Sequence, residues 1–368
     1  MEAGTRQSRV IETPAPLVAL LVGEGWRVIA PVERNRALVM REIGTAADLP
    51  RGRMDEIEAG RYRLVDGDPS RWFDHVVGAG SWKEWLFPPR ERLWSARREG
   101  AGLDITTEPS DWPRTAFFGV RPCDLAAIGK QGRVFASGPG EPGYARRREG
   151  TLIVAVQCAR AAPTCFCASM GTGPRAEAGF DLALTELDGR FLLETGSAEG
   201  ARLAERLESR LAAAADLEEA AAASGRSAAT QRRAMPPGID ATLRAAPEHP
   251  AWDEIATRCL ACANCTLACP TCFCSDVEDV TDLSGAQAER WRHWDSCFSL
   301  DFSFVNGGPV RPSIRARYRQ WMTHKLSSWH DQFGESGCVG CGRCIAWCPV
   351  GIDITREARM LTGEGETP

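Results

Sequence analysis

One cysteine run, used twice, constrains this chain more than any other feature: Cys259-x2-Cys262-x2-Cys265-x3-Cys269-Pro270, and Cys338-x2-Cys341-x2-Cys344-x3-Cys348-Pro349 near the end. Three thiols at two-residue intervals can wrap a loop around one face of a cubane iron–sulfur cluster, and the fourth then lies on the helix that follows. Paired C-x-x-C motifs also build structural zinc sites, but those take their ligands as two separated pairs. Here four cysteines fall within eleven residues and a proline follows, in both copies. The duplication selects iron–sulfur over zinc.

In two-cluster bacterial ferredoxins the fourth thiolate of each run belongs to the other cluster. The expected assignment is therefore crossed. Cluster I takes Cys259, Cys262, Cys265 and Cys348, and cluster II takes Cys338, Cys341, Cys344 and Cys269. Such crossing ties both runs into one folding unit.

At 368 residues the chain exceeds what a single core usually organises, so two domains are expected. Fifteen cysteines at this length point to a reducing compartment rather than a disulfide scaffold, and the expected location is cytoplasmic. Met1–Val10 is polar and mixed in charge, so no secretory leader is expected, and the apolar run Pro14–Val22 is too short to span a membrane. A formal charge of −5 argues against a general nucleic-acid binder. The exception is the basic stretch Arg311–Lys325, with Arg315, Arg317, Arg319 and Trp321. It reads as a solvated or docking face, or as arginines that offset the negative charge of a thiolate-bound cluster.

Along the chain, the first part reads as α/β. Apolar runs Arg27–Val32, Arg36–Ile43, Thr115–Val120 and Thr151–Val156 have strand length and end at Gly or Pro. Asp188-Gly189 between two short β-type runs, Asp181–Leu187 and Arg190–Thr195, predicts a hairpin. Glu199–Ser224 is rich in Ala, Leu, Glu and Arg and predicts a helix. The polar stretch with Pro236-Pro237-Gly238 marks the boundary. The expected organisation is an α/β (α+β) domain over 1–225, a linker over 226–250, and a mainly helical, ferredoxin-like two-cluster domain over 251–368. The long segment between Cys269 and Cys338 is an insertion rich in Trp and Arg, and no repeat beyond the cysteine run is expected.

Seven cysteines lie outside the runs. Cys123 follows one predicted strand and Cys158 another, so in a parallel sheet both emerge at the carboxyl edge, where such sheets hold ligands. Cys165 and Cys167 sit on the loop leaving the second strand. These four can converge on a third cubane cluster, the alternatives being reduced structural thiols or a nearby flavin. Cys272, Cys274 and Cys297 are expected as buried thiols beside the first run. Gly171-Thr172-Gly173-Pro174 is a turn able to offer N–H groups to an anion. No G-x-G-x-x-G fingerprint follows a strand, no Walker A sequence occurs, and His75, His249, His293, His324 and His330 have no ligand or catalytic spacing. No substrate-converting site is expected on this chain.

Several segments together resemble a known family: Phe117-Phe118-Gly119-Val120-Arg121-Pro122-Cys123-Asp124, Ser81-Trp82-Lys83, Cys165-Phe166-Cys167, Cys269 through Val280, Trp294-Asp295-Ser296-Cys297, and Gly337 through Cys344. They resemble the beta subunit of sulfhydrogenase-type nickel–iron hydrogenases, and are similar to the electron-relay subunit of anaerobic sulfite reductase, from about Leu17 to Ile354. The resemblance implies an electron relay. Its partners would be a flavin subunit that exchanges electrons with NAD(P)H and the small and large hydrogenase subunits, or alternatively a sirohaem subunit. In such relays the cofactors do the redox chemistry while the protein sets distance and potential. The rival classes are a self-contained flavin oxidoreductase and a structural zinc protein.

Overall fold

The computed structural model describes residues 8–100, 102–107, 112–138 and 140–363. Residues 1–7 of the polar N-terminal segment lie outside these. In chain order the strands are β1 (Ser8–Ile11), β2 (Arg27–Arg34), β3 (Ala37–Ile43), β4 (Arg53–Glu58), β5 (Arg61–Asp66), β6 (Arg90–Glu99) and β7 (Gly102–Thr107). They continue with β8 (Thr115–Val120), β9 (Thr151–Val156), β10 (Leu182–Glu186), β11 (Phe191–Thr195), β12 (Arg210–Leu211), β13 (Ser275–Thr281) and β14 (Gln287–Trp294). Eight of them form one sheet in the order β12-β1-β11-β10-β9-β8-β2-β3.

The centre of that sheet, β10-β9-β8-β2, is parallel, and antiparallel strands flank it on both sides. Every residue of β8 and β9 is buried, as expected of strands covered on both faces. One face packs on Leu17, Val18 and Leu21 of the helix Ala15–Gly23; the other meets Leu125 and Ile128 of the helix Pro122–Ala136. The hairpin at Asp188-Gly189 forms, with Gly189 at φ +66°. The Ala-rich stretch departs from expectation. It folds as two helices, Ala198–Glu205 and Ala214–Ala229, because Arg210 and Leu211 leave helical geometry to pair with β1. Propensity is a weak prior, and edge pairing overrides it.

The C-terminal region combines short helices with the β13–β14 hairpin of the insertion. That hairpin joins β6 and β7 in a second sheet, ordered β13-β14-β6-β7 and antiparallel throughout. Chain segments from both halves of the sequence therefore share one sheet. Among the described residues no helix is long and apolar enough to cross a membrane.

A buried ion pair fixes the sheet to the second cysteine run. Arg343 donates to both carboxylate oxygens of Asp124 at 2.6 and 3.0 Å, and its Nε donates to the Gly78 carbonyl. The side chains are only 1% and 2% exposed. Asp124 sits in the first turn of the helix after β8, and Arg343 in the first turn of a cysteine-bearing helix. Removing one partner would strand the other charge in a dry interior, at a cost of about 3–5 kcal/mol. Thermal unfolding should show Arg343→Met and Asp124→Leu each strongly destabilised, with the double variant recovering much of the loss.

Candidate iron–sulfur centres

The two cysteine runs adopt the same local geometry. In the first, the helix Ala251–Arg258 ends on Cys259, Ala261 and Ala263 take positive φ, and the helix Asn264–Leu267 carries Cys265. In the second, Gly340 and Gly342 take positive φ and the helix Arg343–Ala346 carries Cys344. Each turn aims a backbone N–H at the first sulfur: Ala261 N–H to Cys259 Sγ at 3.4 Å, and Gly340 N–H to Cys338 Sγ at 3.4 Å. Ile352 N–H adds a third such bond, to Cys348 Sγ at 3.3 Å.

The alanine-for-glycine difference has a steric origin. A Cβ on Gly340 would lie 2.6 Å from the backbone of Cys167, and one on Gly342 would lie 2.4 Å from the Thr164 carbonyl oxygen. The second run is pressed against the loop after β9, and Phe166 N–H bonds the Gly340 carbonyl at 2.9 Å. The first run has no such neighbour, so alanine is tolerated there despite its left-handed backbone.

Electrostatically the thiols fall into two groups: Cys259, Cys348 and Cys262 act most strongly on Cys265, and Cys338, Cys341 and Cys269 on Cys344. Burial pushes the Cys265, Cys344, Cys338 and Cys341 thiols up. Cys269 moves the other way, because a hydrogen bond from Cys272 and the Lys325 ammonium stabilise its thiolate. Lys325 Nζ lies 3.3 Å from Cys269 Sγ and 2.8 Å from Thr271 Oγ1. Burial opposes the charge of Lys325, but Cys269, Cys272 and Cys338 outweigh it.

Cys259, Cys262, Cys265 and Cys348 line a hollow walled by Phe298, Tyr318, Trp321, Ile352 and Ile354, with Cys344 at its edge. Tyr318 Oη and Trp321 Nε1 are buried in this wall with no hydrogen-bond partner among the described residues. Orphaned donors in an apolar pocket are costly unless an acceptor fills the space. A cubane with its sulfides and thiolates would be such an acceptor, so the residues fit the group. Among the described residues no three His, Cys, Asp or Glu side chains meet closely enough to hold a single metal ion.

The N-terminal cysteines also come together. Strands β8 and β9 are parallel, and Cys123 and Cys158 lie just beyond their carboxyl ends. Cys165 neighbours Cys167 and Cys158, while Cys123 neighbours Cys167 and, across the interface, Cys341. Buried Arg121 donates to the carbonyls of Phe73 and His75 and its charge favours the Cys158 thiolate against burial, and the His75 imidazole is buried without a partner on either nitrogen among the described residues. The Gly171–Pro174 turn is spent on structure: Thr172 Oγ1 donates to the Val339 carbonyl and Cys158 N–H to the Pro174 carbonyl.

The basic stretch divides in two. Arg315 and Arg319 pair with Glu248, whereas Arg317 and Lys325 turn inward toward Cys259 and Cys269. A second repeat, not expected from the sequence reading, is also present: Pro163-Thr164-Cys165-Phe166-Cys167 recurs letter for letter as Pro270-Thr271-Cys272-Phe273-Cys274. The copies flank one loop. Thr271 Oγ1 donates to the Gly337 carbonyl at 2.7 Å, while the first copy meets Gly340 and Gly342. Comparing short cysteine-bearing words rather than cysteine spacing alone would have found it. Lys83, Asp124 and Arg343 lie in segments that carry the family resemblance and Lys325 ends the basic stretch, but their buried pairing has no sequence signal, since it is defined only by partners distant in the chain.

Residues 258–352 match the 4Fe-4S dicluster domain family. Over 280 residues the chain is 32% identical to sulfhydrogenase 2 subunit beta of Pyrococcus furiosus, an alignment that covers 74% of this chain and 79% of that protein. The chain belongs to the sulfhydrogenase beta-subunit family. Within this family member the close approach of Gly340 to Cys167 should be intolerant of any side chain. Gly340→Val should force the 164–167 loop away from the second run, and protease sensitivity of that loop should rise relative to a surface control such as Gly285→Val.

Proposed function

We propose that this chain is an electron-relay subunit of a hydrogenase complex, holding cluster I on Cys259, Cys262, Cys265 and Cys348 and cluster II on Cys338, Cys341, Cys344 and Cys269. A third cluster on Cys123, Cys158, Cys165 and Cys167 belongs to the same reading. When bound, such clusters supply one-electron transfer at potentials set by their surroundings. The observation that carries the proposal is the serial placement of the thiol groups. Cys265 and Cys344 bring the first group against the second, and Cys341 brings the second against Cys123 and Cys167.

The chain's own residues have three tasks. Phe298, Trp321 and Ile354 keep water from the first group, Lys325 and Arg343 place positive charge beside the second, and Arg121 does so for the third. Cys262 is the exposed end of the series, with Leu260, Leu267 and Val350 exposed around it, and a partner protein would dock there. The partners proposed are a flavin subunit that uses NAD(P)H and the nickel–iron hydrogenase subunits. The name of the Pyrococcus relative favours these over a sirohaem partner. A cytoplasmic setting is part of the proposal, since unpaired thiols suit a reducing compartment.

Cys348→Ala tests the crossed ligation. Electron paramagnetic resonance of the reduced variant should lose the signal of cluster I and keep that of cluster II; loss of the cluster bound by Cys338, Cys341 and Cys344 alone would contradict the assignment. Lys325→Met removes a unit charge near cluster II. At an effective dielectric of about 20 and a separation of about 6 Å this is worth about 2–3 kcal/mol, so a redox titration should find the cluster II midpoint lowered by roughly 0.1 V. Cluster I should move much less.

A further inference from the structure

Beside cluster II lies a second group of half-buried thiols that the relay reading leaves unused. Cys272 and Cys274 come from the second copy of the Pro-Thr-Cys-Phe-Cys word, just before β13, and Cys297 lies just past β14. The two ends of the hairpin are tied by the bond from Asp295 N–H to the Cys274 carbonyl. Ser275 pairs with Trp294, so the hairpin ends bring Cys274 and Cys297 near one another, where their thiols act on each other electrostatically, and Cys269 and Cys274 act in the same way on Cys272.

The second observation is a buried cation with no carboxylate. Lys83 is 4% exposed. Its Nζ sits 3.8 Å from the centre of the Trp294 ring and 3.4 Å from the Leu267 carbonyl, and makes no salt bridge among the described residues. The negative groups within its reach are Cys272, Cys269 and Cys274. Lys325, also buried and without a carboxylate partner among the described residues, lies 3.3 Å from Cys269 Sγ and also feels the charge of Cys272. Buried ammonium groups require an anionic partner. Lys325 contacts Cys269 and so serves cluster II, but Lys83 lies on the Cys272 side.

We propose that Cys272, Cys274 and Cys297 bind a further iron–sulfur cluster, with Lys83 compensating its charge. The identical word at 163–167 is the precedent within the chain, since there too two thiols one residue apart meet others contributed from strand ends. Binding would release three thiol protons as three iron–sulfur bonds form. One iron of a cubane would then lack a thiolate from this set. The proposal rests on the relay reading only for the identity of its neighbour, cluster II.

Iron and acid-labile sulfide are measured on the anaerobically purified complex, supported by 57Fe Mössbauer spectra. About sixteen irons per chain is expected with both Pro-Thr-Cys-Phe-Cys sites and the two ferredoxin-type clusters loaded. Cys274→Ser/Cys297→Ser should then lose about four irons and keep the signals of clusters I and II. If that variant does not fold, the total decides: about eight irons overturns the site, and about twelve is resolved by Cys165→Ser/Cys167→Ser. Retention of all iron in that N-terminal variant supports the site, and a fall to about eight overturns it. Unchanged iron in the Cys274→Ser/Cys297→Ser variant, or a Cys274–Cys297 disulfide in peptide maps of the acid-quenched complex, also overturns it. Failure of the relay reading would show elsewhere, as reduced spectra that Cys348→Ala leaves untouched.

Discussion

The contact between the second cysteine run and the edge of the parallel sheet is the constraint on which the rest depends. Gly340 and Gly342 let the run approach the 164–167 loop to a distance no side chain would allow, and the Arg343–Asp124 pair locks the approach. Other contacts between the two halves run through the antiparallel sheet β13-β14-β6-β7, the bond from Gly60 N–H to the Ile345 carbonyl, the Tyr62–Trp347 ring pair and the Lys130–Glu335 ion pair. With the second run so placed, Cys341 lies beside Cys123 and Cys167, and the thiols of the N-terminal region join the series begun by the ferredoxin-type runs. A packing requirement in one loop would thereby set the spacing between the proposed second and third clusters.

Charge balance gives the same picture from another side. Under the proposed assignments, thiolate-bound clusters would bring negative charge into the interior, and the buried Lys83, Lys325, Arg121 and Arg343 would offset it. Of these only Arg343 has a carboxylate partner among the described residues. Cations without carboxylates beside thiols would be neutralised on cluster binding, so the proposed assignments imply that folding and cluster loading are coupled.

Much of this was legible in the sequence. Spacing alone specified the two cysteine runs, and burial on both faces made β8 and β9 readable as apolar runs bounded by Gly or Pro. The hairpin at Asp188-Gly189 was readable because its turn needs positive φ at glycine. The Ala-rich stretch was misread as one helix, since the pairing of Arg210 and Leu211 with β1 is a long-range contact without local signal. The second sheet was equally hidden: β6 and β14 are separated by about half of the chain and pair only once the C-terminal region folds back. The buried cations follow the same rule, as a lysine at 83 or 325 looks like any surface lysine until its neighbours are known. The repeated Pro-Thr-Cys-Phe-Cys word was in plain view, but a search by cysteine spacing alone passes over it.

The most direct test of the crossed two-cluster arrangement is diffraction from the holoprotein at the iron absorption edge. The account predicts one anomalous peak enclosed by Cys259, Cys262, Cys265 and Cys348, and a second enclosed by Cys338, Cys341, Cys344 and Cys269. A peak that joined Cys269 to Cys259, Cys262 and Cys265, leaving Cys348 with the second run, would contradict it.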